Sequence, residues 1–175
     1  MSGARNSAVA MLSAFVVVLS GCSSSDTKSA SLDKYVKKEC ALTVDFKDRM
    51  AHLTHDFATN AKNQEALADT VQSMADLYNE LIAKDHELGD SPNGEGNDDS
   101  GEIDQAARSL VDTLGKVATD IRGAKNDAEA QAAMNRMNDA IVKSTTTAEK
   151  WQKSHPTPEL DRLKKAYPGC SDEPG

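Results

Sequence analysis

Four side chains of metal-ligating type recur at helical spacing in residues 45–56: Asp45, Asp48, His52 and Asp56, with His55 one turn from His52. At about 100° per residue these five fall within a sector of about 100°. Carboxylate and imidazole ligands one turn apart can clamp a divalent cation through oxygen and nitrogen. The same stripe is also what a solvated helix face ordinarily looks like, and Lys47 and Arg49 sit beside it. No helix-borne Glu-x-x-His pair elsewhere completes a metal site of the bundle-core kind. A plain polar face is the default reading, and the metal site is its alternative. A second acidic stretch, Asp85 to Glu102, offers the oxygen ligands that calcium prefers. No register in it meets the EF-hand pattern, however. Its Gly, Ser, Pro and Asp content reads as a mobile connector, with a weak cation site or a partner contact as alternatives.

The N-terminus carries a different kind of chemistry. Arg5 is the sole charged side chain in residues 1–21, and residues 8–19 form an apolar run interrupted only by Ser13. That run is too short to span a bilayer as a stable helix but suits the core of a secretory leader. It ends in Leu19-Ser20-Gly21-Cys22. This stretch resembles the lipobox of bacterial lipoproteins: Leu at −3, small residues at −2 and −1, then Cys. The resemblance covers the first 22 residues and implies an address rather than an activity. A signal peptidase would cut before Cys22, whose sulfur would carry diacylglycerol, leaving the protein lipid-anchored on the extracytoplasmic face of the cell membrane.

Removing residues 1–21 leaves 19 basic against 28 acidic side chains, a net charge of −9. An acidic balance argues against nucleic acid as a partner and against electrostatic docking on anionic lipid, since both need clustered Lys or Arg. Membrane attachment is then expected through the acyl chains of Cys22, because several chains hold firmly where one holds marginally. With Cys22 acylated, Cys40 and Cys170 remain, and in an exported protein such a pair reads as a disulfide. Closing a loop of about 130 residues would stabilise the fold by roughly 4–5 kcal/mol in the chain-entropy picture.

The elements that must position these groups are helical. Residues 22–31 are small and polar and read as a flexible tether. A first helix is expected from near Leu32, capped by Ser31, to about Ala58, with Leu42, Phe46, Met50, Leu53 and Phe57 inward. A second runs from about Gln64 to Lys84 behind Asn63, burying Leu67, Val71, Met74, Leu77 or Tyr78, and Leu81. A third, about Glu102 to Arg122, has the sharpest stripe: Ile103, Ala107, Leu110, Leu114, Val117 and Ile121 at spacings of 4, 3, 4, 3 and 4. Gly123 stops it, and Asn126 with Glu129 forms a capping box for a fourth helix. That helix buries Ala130, Met134 or Ala133, Met137, Ile141, Ala148 and Trp151, and is expected to fray or bend at Ser144–Thr147. A short helix from Glu159 to Ala166 follows, with Thr157 as cap. No segment shows sustained strand alternation.

These elements predict an all-α, up-down-up-down four-helix bundle with a short C-terminal helix, stapled by one disulfide. In that topology Cys40, early in the first helix, and Cys170, shortly after the fourth, lie at the same pole, taken here as the pole nearest the membrane. The expected domain plan is a leader (1–21), a tether (22–31), a bundle (32–170) containing an acidic flexible loop (85–101), and a disordered tail (171–175). Tyr35, Trp151 and Tyr167 plug the disulfide pole in this reading, and Met50, Met74, Met134 and Met137 fill the core rather than lining a ligand cavity. Nothing matches G-x-S-x-G, H-E-x-x-H, a P-loop or a dinucleotide fingerprint. The chain is therefore read as no enzyme, without a cofactor, acting as an interaction or adaptor module toward an envelope protein. The alternative is a lipoprotein that binds a small ligand or a divalent metal.

Overall fold

The computed structural model describes residues 28–97 and 101–170. The leader, Cys22 and the tail 171–175 lie outside the described residues. Four long helices, α1 (Lys28–Thr59), α2 (Gln64–Leu88), α3 (Glu102–Gly123) and α4 (Asp127–Ser154), are followed by a short α5 (Pro158–Lys164). They form the up-down-up-down bundle, with α2 packed between α1 and α3, α3 between α2 and α4, and α5 against α1. Helix α1 begins four residues before Leu32 and so takes in Lys28–Ser31, which the sequence assigns to the tether.

Side-chain periodicity explains the core. All six expected positions of α3 are buried, as are Leu67, Val71, Met74, Leu77 and Tyr78 of α2. Helix α1 contributes Phe46, Met50 and Phe57, and α4 contributes Ala133, Met137 and Ile141 to the same cluster, with Leu53, Leu81 and Met134 partly buried against it. Phe46 meets Tyr78 with ring centroids 5.0 Å apart and planes tilted by 58°, an arrangement aromatic quadrupoles favour.

The helix ends follow local chemistry. The Asn63 side chain accepts the Ala66 N–H at 3.1 Å to open α2. Asn126 accepts the Glu129 N–H at 3.0 Å, while the Glu129 carboxylate reaches back to the Lys125 N–H at 2.8 Å. Gln64 donates across the same pole to the carbonyls of Ile121 and Ala124, both at 2.7 Å, satisfying the end of α3. Through Ser144–Thr147 α4 stays helical rather than fraying. There the Thr146 and Thr147 hydroxyls turn back onto the Val142 and Lys143 carbonyls, and Ser144 reaches the Ala106 carbonyl of α3.

The disulfide is present. Cys40 and Cys170 are bridged, with Cα atoms 5.1 Å apart across 130 residues. Gly169, at φ +78°, makes the turn that delivers Cys170, and a Cβ there would come within 3.3 Å of Val44.

Candidate functional site

The disulfide pole has its own small core, separate from the main one. Leu32, Tyr35, Val36 and Cys40 of α1 pack with Leu160 of α5 and Cys170, and Leu88, Leu163 and Tyr167 close around them. The Tyr167 hydroxyl donates to Asp33 at 2.8 Å. Trp151 is buried with Ile103 in a third cluster and stacks on His155 at 4.4 Å. Tyr35 and Trp151 are therefore packing residues, as expected of plugs at that end.

Three ionisable groups intrude on this pole. Glu39, 8% exposed, lies on the inward row of α1 and pairs with Lys164 of α5 at 2.6 Å. Its other oxygen, Oε2, is buried without a hydrogen-bond partner among the described residues. Burial raises the Glu39 carboxyl pKa, Lys164 opposes that rise, and Asp161 adds to it. Asp85, in the last turn of α2, is pushed up to about 8, by burial first and then by Glu39, Asp104 and Asp90, with Lys164 opposing. Glu39 is buried and Asp85 half-buried, and Lys164, paired with Glu39, is the cation that opposes the rise at both.

The connector after α2 is tied onto this pole. Ser91 is fully buried, and the Asn93 amide donates to Glu159 at 3.2 Å. The Glu95 carboxylate accepts the N–H groups of Glu159 and Leu160 at 3.0 and 2.9 Å. It thereby caps α5 in place of Thr157, whose hydroxyl turns instead to Asp161. Gly96, at φ +76°, lies so close to α5 that a Cβ would meet Thr157 at 3.2 Å. Residues 89–97 form a strap across the helix.

The candidate metal stripe lies elsewhere. Asp45, Asp48, His52, His55 and Asp56 are all exposed on the outer face of α1. Asp45 is paired with Arg49 at 3.3 Å and with Lys84 at 3.9 Å. Arg49 in turn makes a two-pronged contact with Glu80 of α2, at 2.9 and 2.7 Å. Among the described residues, no three His, Cys, Asp or Glu side chains converge as a metal ion needs. One hydroxyl–imidazole contact exists, Ser154 Oγ to His155 Nδ1 at 3.0 Å. The hydroxyl already serves the Lys150 and Trp151 carbonyls, and the imidazole also meets the Trp151 carbonyl. That set finishes α4 rather than poising a nucleophile.

Two grooves are lined by described residues. The first, of about 690 Å³, runs between α2 and α3 over Ala75 and Gly115, with Asp76, Asn79, Asp112 and Lys116 on its walls. The second, of about 430 Å³, lies between α3 and α4 beside Ser144. Both are shallow and polar-rimmed. Val142 is the only large hydrophobic side chain exposed among the described residues. Compared with known families, with curated proteins and with solved structures, the chain matches none.

The sequence reading missed Glu39, Asp85 and Lys164 as a group. A signal for the first was there: Leu32, Val36, Glu39, Thr43, Phe46 and Met50 recur at 4, 3, 4, 3 and 4, which puts a carboxylate inside an apolar row.

Proposed function

We propose that this chain is a lipid-anchored extracytoplasmic module that holds a helical surface toward a partner protein of the cell envelope. The lipobox-like Leu19-Ser20-Gly21-Cys22 supplies the address. The observation that carries the module reading is the staple: the Cys40–Cys170 bridge ties the first half of α1 to the segment that follows α5. An anchor preceding α1 then leaves the opposite pole and the flanks of α2, α3 and α4 free for contact. A rigid, pinned bundle suits presentation of a surface better than a motion coupled to turnover.

The grooves favour a macromolecular contact over an enclosed ligand. Small-molecule sites are typically concave and mostly apolar, burying most of the ligand. The α2–α3 groove is open and edged by carboxylates, amides and one lysine. Native mass spectrometry of the protein extracted from the envelope tests the reading. A second polypeptide released together with the chain is the expected result. A small added mass with no second polypeptide would overturn it in favour of a ligand- or metal-binding lipoprotein.

A further inference from the structure

The turn within the strap carries chemistry of its own. Ser91-Pro92-Asn93-Gly94 closes with the Gly94 N–H donating to the Ser91 carbonyl at 2.9 Å, and a proline in second place suits such a turn. Asn93 is the one asparagine of the sequence that precedes a glycine. Gly94 is exposed, and a Cβ built on it would find Asn97 Nδ2 as its nearest neighbour, 3.9 Å away, so little crowds this peptide. Both polar atoms of the Asn93 side chain are engaged. Oδ1 accepts the Ser91 hydroxyl at 2.6 Å and the Glu95 N–H at 3.2 Å, and Nδ2 donates to Glu159 Oε2 at 3.2 Å. Two donors on Oδ1 draw charge from Cγ and steady negative charge that develops on that oxygen. The side-chain amide is thus primed for attack, while the Gly94 nitrogen, which alone can close a five-membered ring on Cγ, is held in the turn.

We propose that Asn93-Gly94 is a self-deamidation site, gated by opening of the strap, whose conversion releases the strap from α5 for good. When the strap opens, the Gly94 N–H leaves the Ser91 carbonyl and gives its proton to hydroxide from the solvent. The nitrogen bonds to Asn93 Cγ to form a cyclic imide, and the Cγ–Nδ2 bond breaks. Nδ2 departs as ammonia, taking up through water the equivalent of the proton that Gly94 lost. A water molecule then adds to one of the two imide carbonyls and breaks its bond to nitrogen. Addition at Cγ leaves aspartate; addition at the main-chain carbonyl leaves isoaspartate. No electron donor or acceptor takes part. Aspartate sets a carboxylate where Nδ2 stood, one hydrogen-bond length from the Glu159 carboxylate. Isoaspartate likewise brings a new carboxylate and adds a methylene to the main chain of the turn. Glu95 and Glu159 have no ion-pair partner among the described residues, so the new charge joins two that are unbalanced. The device does not depend on the lipid anchor.

The test incubates the purified chain, its disulfide intact, in mildly alkaline buffer with and without urea. Conversion at each asparagine is followed by peptide mapping and mass spectrometry, with Asn79 inside α2 and Asn135 inside α4 as references. In the native protein Asn93 is expected to convert while Asn79 and Asn135 stay intact. Its rate should be about tenfold below that in urea, the hindrance that one hydrogen bond of the closed turn supplies. Glu95→Ala should speed native conversion about fivefold, the usual worth of the cap it removes. Conversion in urea alone, native conversion as fast as in urea, or equal rates in Glu95→Ala and wild type overturns the gated site. Release is read separately, by amide exchange of Asn93→Asp beside the neutral Asn93→Ser. Asn93→Asp should exchange faster than Asn93→Ser in residues 89–97 and the first turn of α5, with α2 and α3 still protected. Equal exchange in the two variants would mean that a cation such as Arg162, one turn beyond Glu159, takes up the charge, and it overturns the release.

Discussion

Glu39 and Lys164 show how a buried charge constrains its neighbours. Their side chains are 10% and 12% exposed, so each depends on the other for charge balance. Lys164→Ala is expected to cost about 3–5 kcal/mol, because it strands a carboxylate in a dry setting. Replacing both partners, Glu39→Leu with Lys164→Met, should recover most of that loss; chemical denaturation of the three proteins reads the difference. Asp85 adds a pH dependence of unusual sign. Its carboxyl, raised to about 8, binds its proton more tightly in the folded than in the unfolded chain. The resulting stabilisation is complete below the unfolded value near ~3.9 and is lost as pH climbs through about 8. Melting temperatures taken across that window should fall more steeply for the wild type than for Asp85→Asn. Parallel curves would assign the effect to other groups. Glu80 works the other way: hydrogen bonds from Arg49 and then Lys84 hold its carboxyl at about 2, so its contribution disappears only in acid. Sequence pattern marks Glu39 as a charge in an apolar row. It gives no hint that Lys164, 125 residues on, arrives to meet it.

At the scale of elements, periodicity carries most of the information. Helix α3 is fully legible because its apolar positions repeat without interruption, and Asn63 and Asn126 announce their helices through local hydrogen bonds. The continuity of α4 through Ser144–Thr147 is not legible, since poor intrinsic propensity is overridden by the Thr146 and Thr147 hydroxyls bonded to the preceding turn and by the Ser144 contact with α3. Residues 89–97 show the opposite limit. Their composition reads as a mobile connector, whereas Glu95 caps a helix 64 residues away, a contact no local pattern encodes. Glu95→Ala should cost about 1 kcal/mol, the usual value of a lost cap. It should also speed amide exchange in residues 89–97 and α5 while leaving α2 and α3 protected. Uniform acceleration across the bundle would mean that the strap is part of the global unfolding unit. Cys40→Ser should lower the melting temperature under oxidising conditions, by an amount that disappears when both proteins are reduced. Equal melting before reduction would show that the bridge does not form in solution.

For the whole molecule, surface ion pairs stitch each helix to the next: Arg49 to Glu80, Arg122 to Glu65 and Asp69, and Arg136 to Asp120. Exposed pairs of this kind contribute little individually, so shape comes from the apolar rows and from the staple. The up-down-up-down topology was readable from the chain because helix period defines four apolar-striped helices and cysteine placement fits that order of them. The grooves were not, since they emerge only when separate helices are brought side by side. The account as a whole depends on the membrane lying beyond the start of α1. Fractionation of cells labelled with a fatty acid, wild type beside Cys22→Ala, tests this most directly. The account predicts a labelled wild-type protein in the membrane fraction and an unlabelled variant released from it. A variant that stays with the membrane and still takes up label would contradict it.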